Sequence, residues 1–111
     1  MKFEKVCSLD DFWEGDLIDV TVQGHVIILV WPEGSTPRAF QGICPHQSFR
    51  LAGGQFDGRT LKCPAHQWTF DAKTGKGINP GDCQLAEYTL KLDGDDVLVA
   101  VDGVEPRFSH S

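Results

Sequence analysis

Two short clusters, Cys44-Pro45-His46 and Cys63-Pro64-Ala65-His66, gather the chemistry-bearing side chains of this 111-residue chain. Each pairs a thiol with an imidazole, and sixteen residues separate His46 from Cys63. Thiolate and imidazole both bind borderline-soft metals, so two Cys and two His make a metal site. A structural zinc site takes its ligands as like pairs, C-x₂₋₄-C and H-x₃₋₅-H. Here each pair is mixed, at C-x-H and C-x₂-H. Two loops that each present one sulfur and one nitrogen can close one zinc tetrahedron. They can equally place both sulfurs on one iron of a [2Fe–2S] cluster and both imidazoles on the other.

Strands must carry these loops. Leu17–Val22 and Val26–Val30 flank Gln23-Gly24-His25, which reads as a hairpin turn with His25 solvated. A further strand is expected over Arg38–Ile43. Leu85–Leu92 alternates imperfectly, turns at Asp93-Gly94-Asp95-Asp96 and returns as the apolar run Val97–Val101. Between Cys44 and Cys83 the chain is rich in Gly, Pro, Gln and Asn. It carries short strands at best, at Leu61–Cys63 and Trp68–Phe70, with turns at Asp57-Gly58 and Lys73-Thr74-Gly75. Ser8-Leu9-Asp10-Asp11 is the one helix-start pattern and supports little more than a turn. The expected architecture is all-β and a single domain over 1–111. An antiparallel sandwich base, 1–42 and 84–111, holds an inserted cluster-binding subdomain over 43–83.

Charge narrows the class of partner. Ten Lys and Arg against sixteen Asp and Glu give a net charge of −6, so no nucleic acid and no anionic membrane is expected. An acidic surface suits docking onto basic patches of other proteins. The N-terminus has no apolar core of a signal peptide, and the longest apolar stretch, Val26–Trp31, is far short of a membrane span. A cytoplasmic protein is expected, with its four cysteines as ligands and thiols rather than disulfides.

Cys44-Pro45-His46, Cys63-Pro64-Ala65-His66, Trp68-Thr69-Phe70-Asp71 and Thr74-Gly75 together resemble the Rieske signature C-x-H…C-P-x-H-x-x-F-D…T-G. The resemblance implies one [2Fe–2S] cluster, with Cys44 and Cys63 on the inner iron and His46 and His66 on the outer. Neutral imidazoles leave the oxidised cluster formally uncharged and easier to reduce than an all-cysteine one. Phe49 and Ala65 stand where respiratory Rieske proteins carry a bracing disulfide. Trp68 and Phe70 stand where those proteins place hydroxyls on the cluster sulfurs. Losing such hydrogen bonds lowers the potential, which is expected near the low end of the Rieske range, on the order of −150 mV. Gln67 replaces the glycine usual after the second histidine.

Gly77 to Tyr88 and the opening Phe3 to Asp11 are similar to the ferredoxin component of bacterial toluene and related aromatic monooxygenases. With no second metal motif or nucleotide fingerprint visible in the chain, a monomeric one-electron carrier rather than an enzyme is expected, and the resemblance makes it a shuttle. Its partners would be an NADH-dependent flavin/iron–sulfur ferredoxin reductase and a di-iron hydroxylase. A dioxygenase ferredoxin, the small subunit of an assimilatory reductase and a structural zinc module are the alternatives. Pro45, Gln47, Phe49, Pro64, Ala65, Gln67, Trp68, Phe70, Asn79 and Pro80 are expected around the cluster. Of these, Pro45, Gln47, Gln67 and Pro80 are the candidate docking residues. Cys7 and Cys83 read as small buried thiols, Trp13 and Trp31 as core or strand-edge aromatics, and His110 as solvated.

Overall fold

The computed structural model describes residues 2–44, 50–63, 68–79 (backbone only at 79) and 84–104. They form ten strands and one short 3₁₀ turn, Leu51–Gly53. The strands are β1 (Glu4–Ser8), β2 (Leu17–Val22), β3 (His25–Val30), β4 (Arg38–Gln41), β5 (Gln55–Phe56), β6 (Thr60–Lys62), β7 (Thr69–Asp71), β8 (Gly77–Asn79), β9 (Glu87–Asp93) and β10 (Asp96–Ala100). No described helix is long and apolar enough to cross a membrane.

An antiparallel six-stranded sheet runs β1-β10-β9-β4-β3-β2, and β5-β6-β7-β8 form a second, smaller sheet. The two ends of the larger sheet approach each other where Gln23, in the turn after edge strand β2, meets Glu4 of edge strand β1 at 3.5 Å. The sheet thus curls most of the way to a barrel. Strand β3 explains how the two sheets join. Ile27, Leu29 and Ala39 (of β4) face a core with Phe12, Tyr88, Val97 and Val99 inside the curl. Ile28, Val30 and Phe40 face the opposite way, into a core with Leu51, Leu61, Phe70 and Leu85 from the smaller sheet and its flanks. A strand buried on both faces must be apolar at every position, and Ile27–Val30 are all fully buried.

Several sequence expectations need correction. Between β2 and β3, Gln23 and Gly24 take left-handed backbone, at φ 50° and 81°, which is a two-residue turn. His25 is therefore the first residue of β3, not a solvated turn residue. Its ring sits edge-on to buried Tyr88 with Nδ1 3.3 Å from the phenol oxygen. Trp13 is 69% exposed, because its neighbour Phe12 takes the core position and packs on Trp31 at 5.5 Å. Cys7 is only partly buried, on edge strand β1. Strand β4 stops at Gln41, and Ile43 makes just a single bridge to Arg50. Ser8–Asp11 is a turn, as its sequence led one to expect: the Ser8 N–H donates to the Asp11 carboxylate (2.8 Å) and the Asp10 N–H to Ser8 Oγ (3.3 Å). Cys83, His110 and the tail from 105 lie outside the described residues.

Candidate metal centre

Cys44 and Cys63 are buried in the same core, beside Leu51, Leu61, Phe70, Ala72 and Leu85. Neither is in a disulfide. Each borders a segment outside the described residues, and backbone bonds join the described residues on its two sides. For the first, Ile43 bridges Arg50, and the Leu51 N–H donates to the Gly42 carbonyl at 2.8 Å. For the second, the Cys63 N–H donates to the Trp68 carbonyl at 2.7 Å.

The register of the smaller sheet brings these residues together. Lys62 pairs with both Gln55 and Thr69, and Thr69 pairs with Asn79. Cys63 and Trp68 lie one residue beyond that row. Leu51–Gly53 reaches the same end through Gly54, whose N–H donates to the Leu51 carbonyl. Cys63, Trp68 and the Asn79 backbone therefore sit at one end of the smaller sheet, with Leu51–Gly54 against it, whereas Gln84, which bridges Lys76, lies towards the other end of β8. Pro45, His46, Gln47, Phe49, Pro64, Ala65, His66, Gln67 and Pro80 lie outside the described residues, as does the Asn79 side chain. Trp68 packs, partly buried, against the cysteine core, and Phe70 is fully buried within it.

The rest of the motif does structural work. The Asp71 carboxylate accepts the Lys73 N–H (2.8 Å), and the Asp71 carbonyl accepts the Gly75 N–H (2.7 Å). Thr74 Oγ1 accepts the Lys76 N–H (3.2 Å). Gly75 has φ 75°, and a Cβ there would sit 2.8 Å from the Phe40 ring. Asp71, Thr74 and Gly75 thus fold the β7–β8 turn and seat it on the core beneath the cysteines.

One polar residue near the site went unnoticed in the sequence. Gln41 is 1% exposed, and its amide ties Ile43 to Ala86. The available signal was a polar side chain closing an apolar strand three residues before the first Cys-His pair.

Comparison with known proteins decides which metal such a site serves. The family described as "Rieske [2Fe-2S] domain" matches residues 2–102. The chain belongs to the Rieske [2Fe–2S] family. It is 41% identical over 108 residues to the ferredoxin component of an alkene monooxygenase system from Xanthobacter autotrophicus, covering 96% of this chain and 84% of that one. It is 34% identical over 100 residues to the ferredoxin component of a naphthalene 1,2-dioxygenase system from Pseudomonas putida, covering 89% and 95%. The solved ferredoxin of carbazole 1,9a-dioxygenase from Nocardioides aromaticivorans superposes with a TM-score of 0.80 at 27% identity, over 90% of this chain and 98% of that one.

Membership in the Rieske family removes the zinc alternative and makes the cofactor a [2Fe–2S] cluster. The described donors fit it: two thiols outside any disulfide, in one apolar core that keeps water from their sulfurs. The chain is an electron-transfer component, not a catalyst.

Proposed function

We propose that this Rieske protein is the electron carrier of a hydrocarbon monooxygenase. It would take electrons from an NADH-dependent flavin/iron–sulfur reductase and deliver them to a di-iron aromatic hydroxylase. Cys44 and Cys63 would hold one iron through their thiolates, and His46 and His66 the other through one ring nitrogen each. When bound, the cluster supplies a one-electron couple. The protein's own part is to bury the thiolates, fix the loop roots and keep the imidazoles of the C-x-H and C-x₂-H pairs at its surface for docking. In this reading the carrier works as a monomer in the cytoplasm, where its reductase has NADH.

The observation that carries it is the pair of buried cysteines, each beside backbone bonds that join its flanking residues and two or three residues before a histidine. The monooxygenase reading draws on the 41% identity to a monooxygenase ferredoxin; a dioxygenase partner is the second reading, supported by the 34% relative. Reconstitution tests both. The purified protein should be red-brown, paramagnetic when reduced, and lose iron in Cys44→Ser and Cys63→Ser. Together with its reductase it should support a di-iron hydroxylase and not a Rieske dioxygenase. Support of the dioxygenase alone would reverse the order of the two readings.

A further inference from the structure

Gln41 is the polar side chain buried among the described residues, and both ends of its carboxamide are engaged. Nε2 donates to the Ile43 carbonyl at 2.8 Å, and Oε1 accepts the Ala86 N–H at 2.9 Å. The Gln41 backbone N–H also donates to the Ala86 carbonyl, at 2.9 Å. One partner is a carbonyl and the other an N–H, so the amide fits in one orientation only.

Both partners lead to the metal centre. Ile43 immediately precedes Cys44 and bridges Arg50, across the root of the first loop. Ala86 ends the short strap 84–86, whose Gln84 bridges Lys76 and whose Leu85 is packed in the cysteine core. The Leu85 N–H also donates to the Gly75 carbonyl at 2.8 Å. A single side chain thereby fastens the root of the Cys44 loop to the strap that follows residues 80–83. Gly42 leaves the same root little freedom. Its N–H donates to the Val26 carbonyl at 2.8 Å, and a Cβ there would meet Val26 Cγ1 at 2.8 Å.

An amide is an expensive choice for a closed core position unless both its ends are paired, and an apolar residue would pack there without that demand. Apolar packing would not fix the Ile43 carbonyl relative to Ala86. We propose that Gln41 is a positioning residue of the [2Fe–2S] centre: its carboxamide sets where Cys44 stands relative to the 84–86 strap, and through that thiolate tunes the cluster. The inference rests on Cys44 being a ligand. Residues that orient ligands in this way affect the metal without touching it.

The test uses the holoprotein with Gln41→Met and Gln41→Leu, which keep an apolar side chain of similar bulk and lose both bonds. Val99→Ala, in the other core, is the control for general loss of stability. All three should load iron and sulfide. Both Gln41 variants should shift the g values of the reduced protein and its midpoint potential. They should also bleach about tenfold faster or more under a chelator, the usual cost of losing a ligand-orienting group. Val99→Ala should lower the unfolding temperature and leave g values and potential alone. Unchanged g values and potential in whichever Gln41 variant folds, or an equal shift in Val99→Ala, overturn the proposal. Retention of the native cluster by Cys44→Ala would instead overturn the ligand assignment beneath it.

Discussion

Phe70 is fully buried in the core that holds Cys44 and Cys63, and its ring offers no hydroxyl. A donor at this position would stabilise the reduced, more negative cluster, so Phe70→Tyr should raise the midpoint potential. The structure also sets the alternative outcome. A buried hydroxyl that finds no acceptor costs about 1–3 kcal/mol. A potential that rises with little loss of stability means the hydroxyl reaches a sulfur; a fall in unfolding temperature with no change in potential sinks the idea. Cys7 differs from the cysteines of the centre. Burial, then the Asp11 charge, pushes its thiol up to about 11 against some opposition from Lys5. The folded state thus favours the neutral thiol. That contribution to stability is complete below the ordinary thiol value of 9.0 and is lost as pH climbs from there towards 11. At pH 8, iodoacetamide should alkylate Cys7 more slowly than an unhindered peptide thiol; equal rates would show that Cys7 is not held neutral.

At the scale of elements, the site depends on how closely the smaller sheet meets the 3₁₀ turn. A methyl group on Gly54 would overlap the carbonyl oxygen of Lys62, the last residue of β6 before Cys63. That oxygen belongs to backbone, so β6 itself would have to move. Gly54→Ala should therefore destabilise the protein by about 2 kcal/mol and lower its iron content, since overpacked sites typically cost 1–3 kcal/mol. Thermal unfolding and iron analysis check this, and wild-type values in both would refute it. Which elements the sequence revealed follows from the same physics. Ile27–Val30 announced itself as a continuous apolar run because β3 is buried on both faces. Asp93-Gly94-Asp95-Asp96 announced the β9–β10 hairpin through its turn residues. Strands β1, β5 and β8 gave no such signal. β1 is an edge strand that begins Glu4-Lys5, and β5 has two residues and β8 three, held by pairing rather than by a periodic pattern. The two Cys-His pairs stood out because their chemistry is local in sequence. Gln41 was not, because its partners Ile43 and Ala86 include one that is 45 positions away.

Over the whole molecule the charge is unevenly placed. Segment 43–83 carries Arg50, Arg59, Lys62, Lys73 and Lys76 against Asp57, Asp71 and Asp82, a net +2, and leaves −8 for the remainder of the chain's −6. Much of that negative charge sits at one pole. Strand β9 starts at Glu87, paired with Phe40, and ends at Asp93. Six residues of strand carry it about 20 Å from the end that leads to Cys44. The Leu9 N–H donates to the Asp95 carbonyl at 2.8 Å, so Asp10 and Asp11 join Asp93 and Asp95 at that pole. If the carrier docks onto a basic patch through Pro45, Gln47, Gln67 and Pro80, its attraction comes from carboxylates well behind the contact. The screening length is about 8 Å at 0.15 M salt and about 30 Å at 0.01 M. Steering by the far pole should therefore operate only in dilute buffer. Electron delivery to the oxygenase should slow as salt rises and level off near physiological strength. The double variant Asp93→Asn, Asp95→Asn should lose the fast low-salt rate and match the wild type at 0.15 M. Gln47→Lys or Gln67→Lys acts at the contact, where screening is incomplete, and should slow delivery at both salt concentrations with the cluster spectrum intact. Stopped-flow oxidation of the reduced protein by its oxygenase reads all of these rates. A rate that rises with salt, or lysine variants that deliver faster, would mean the partner's surface is acidic, and the docking face would then be drawn by the +2 of segment 43–83 instead.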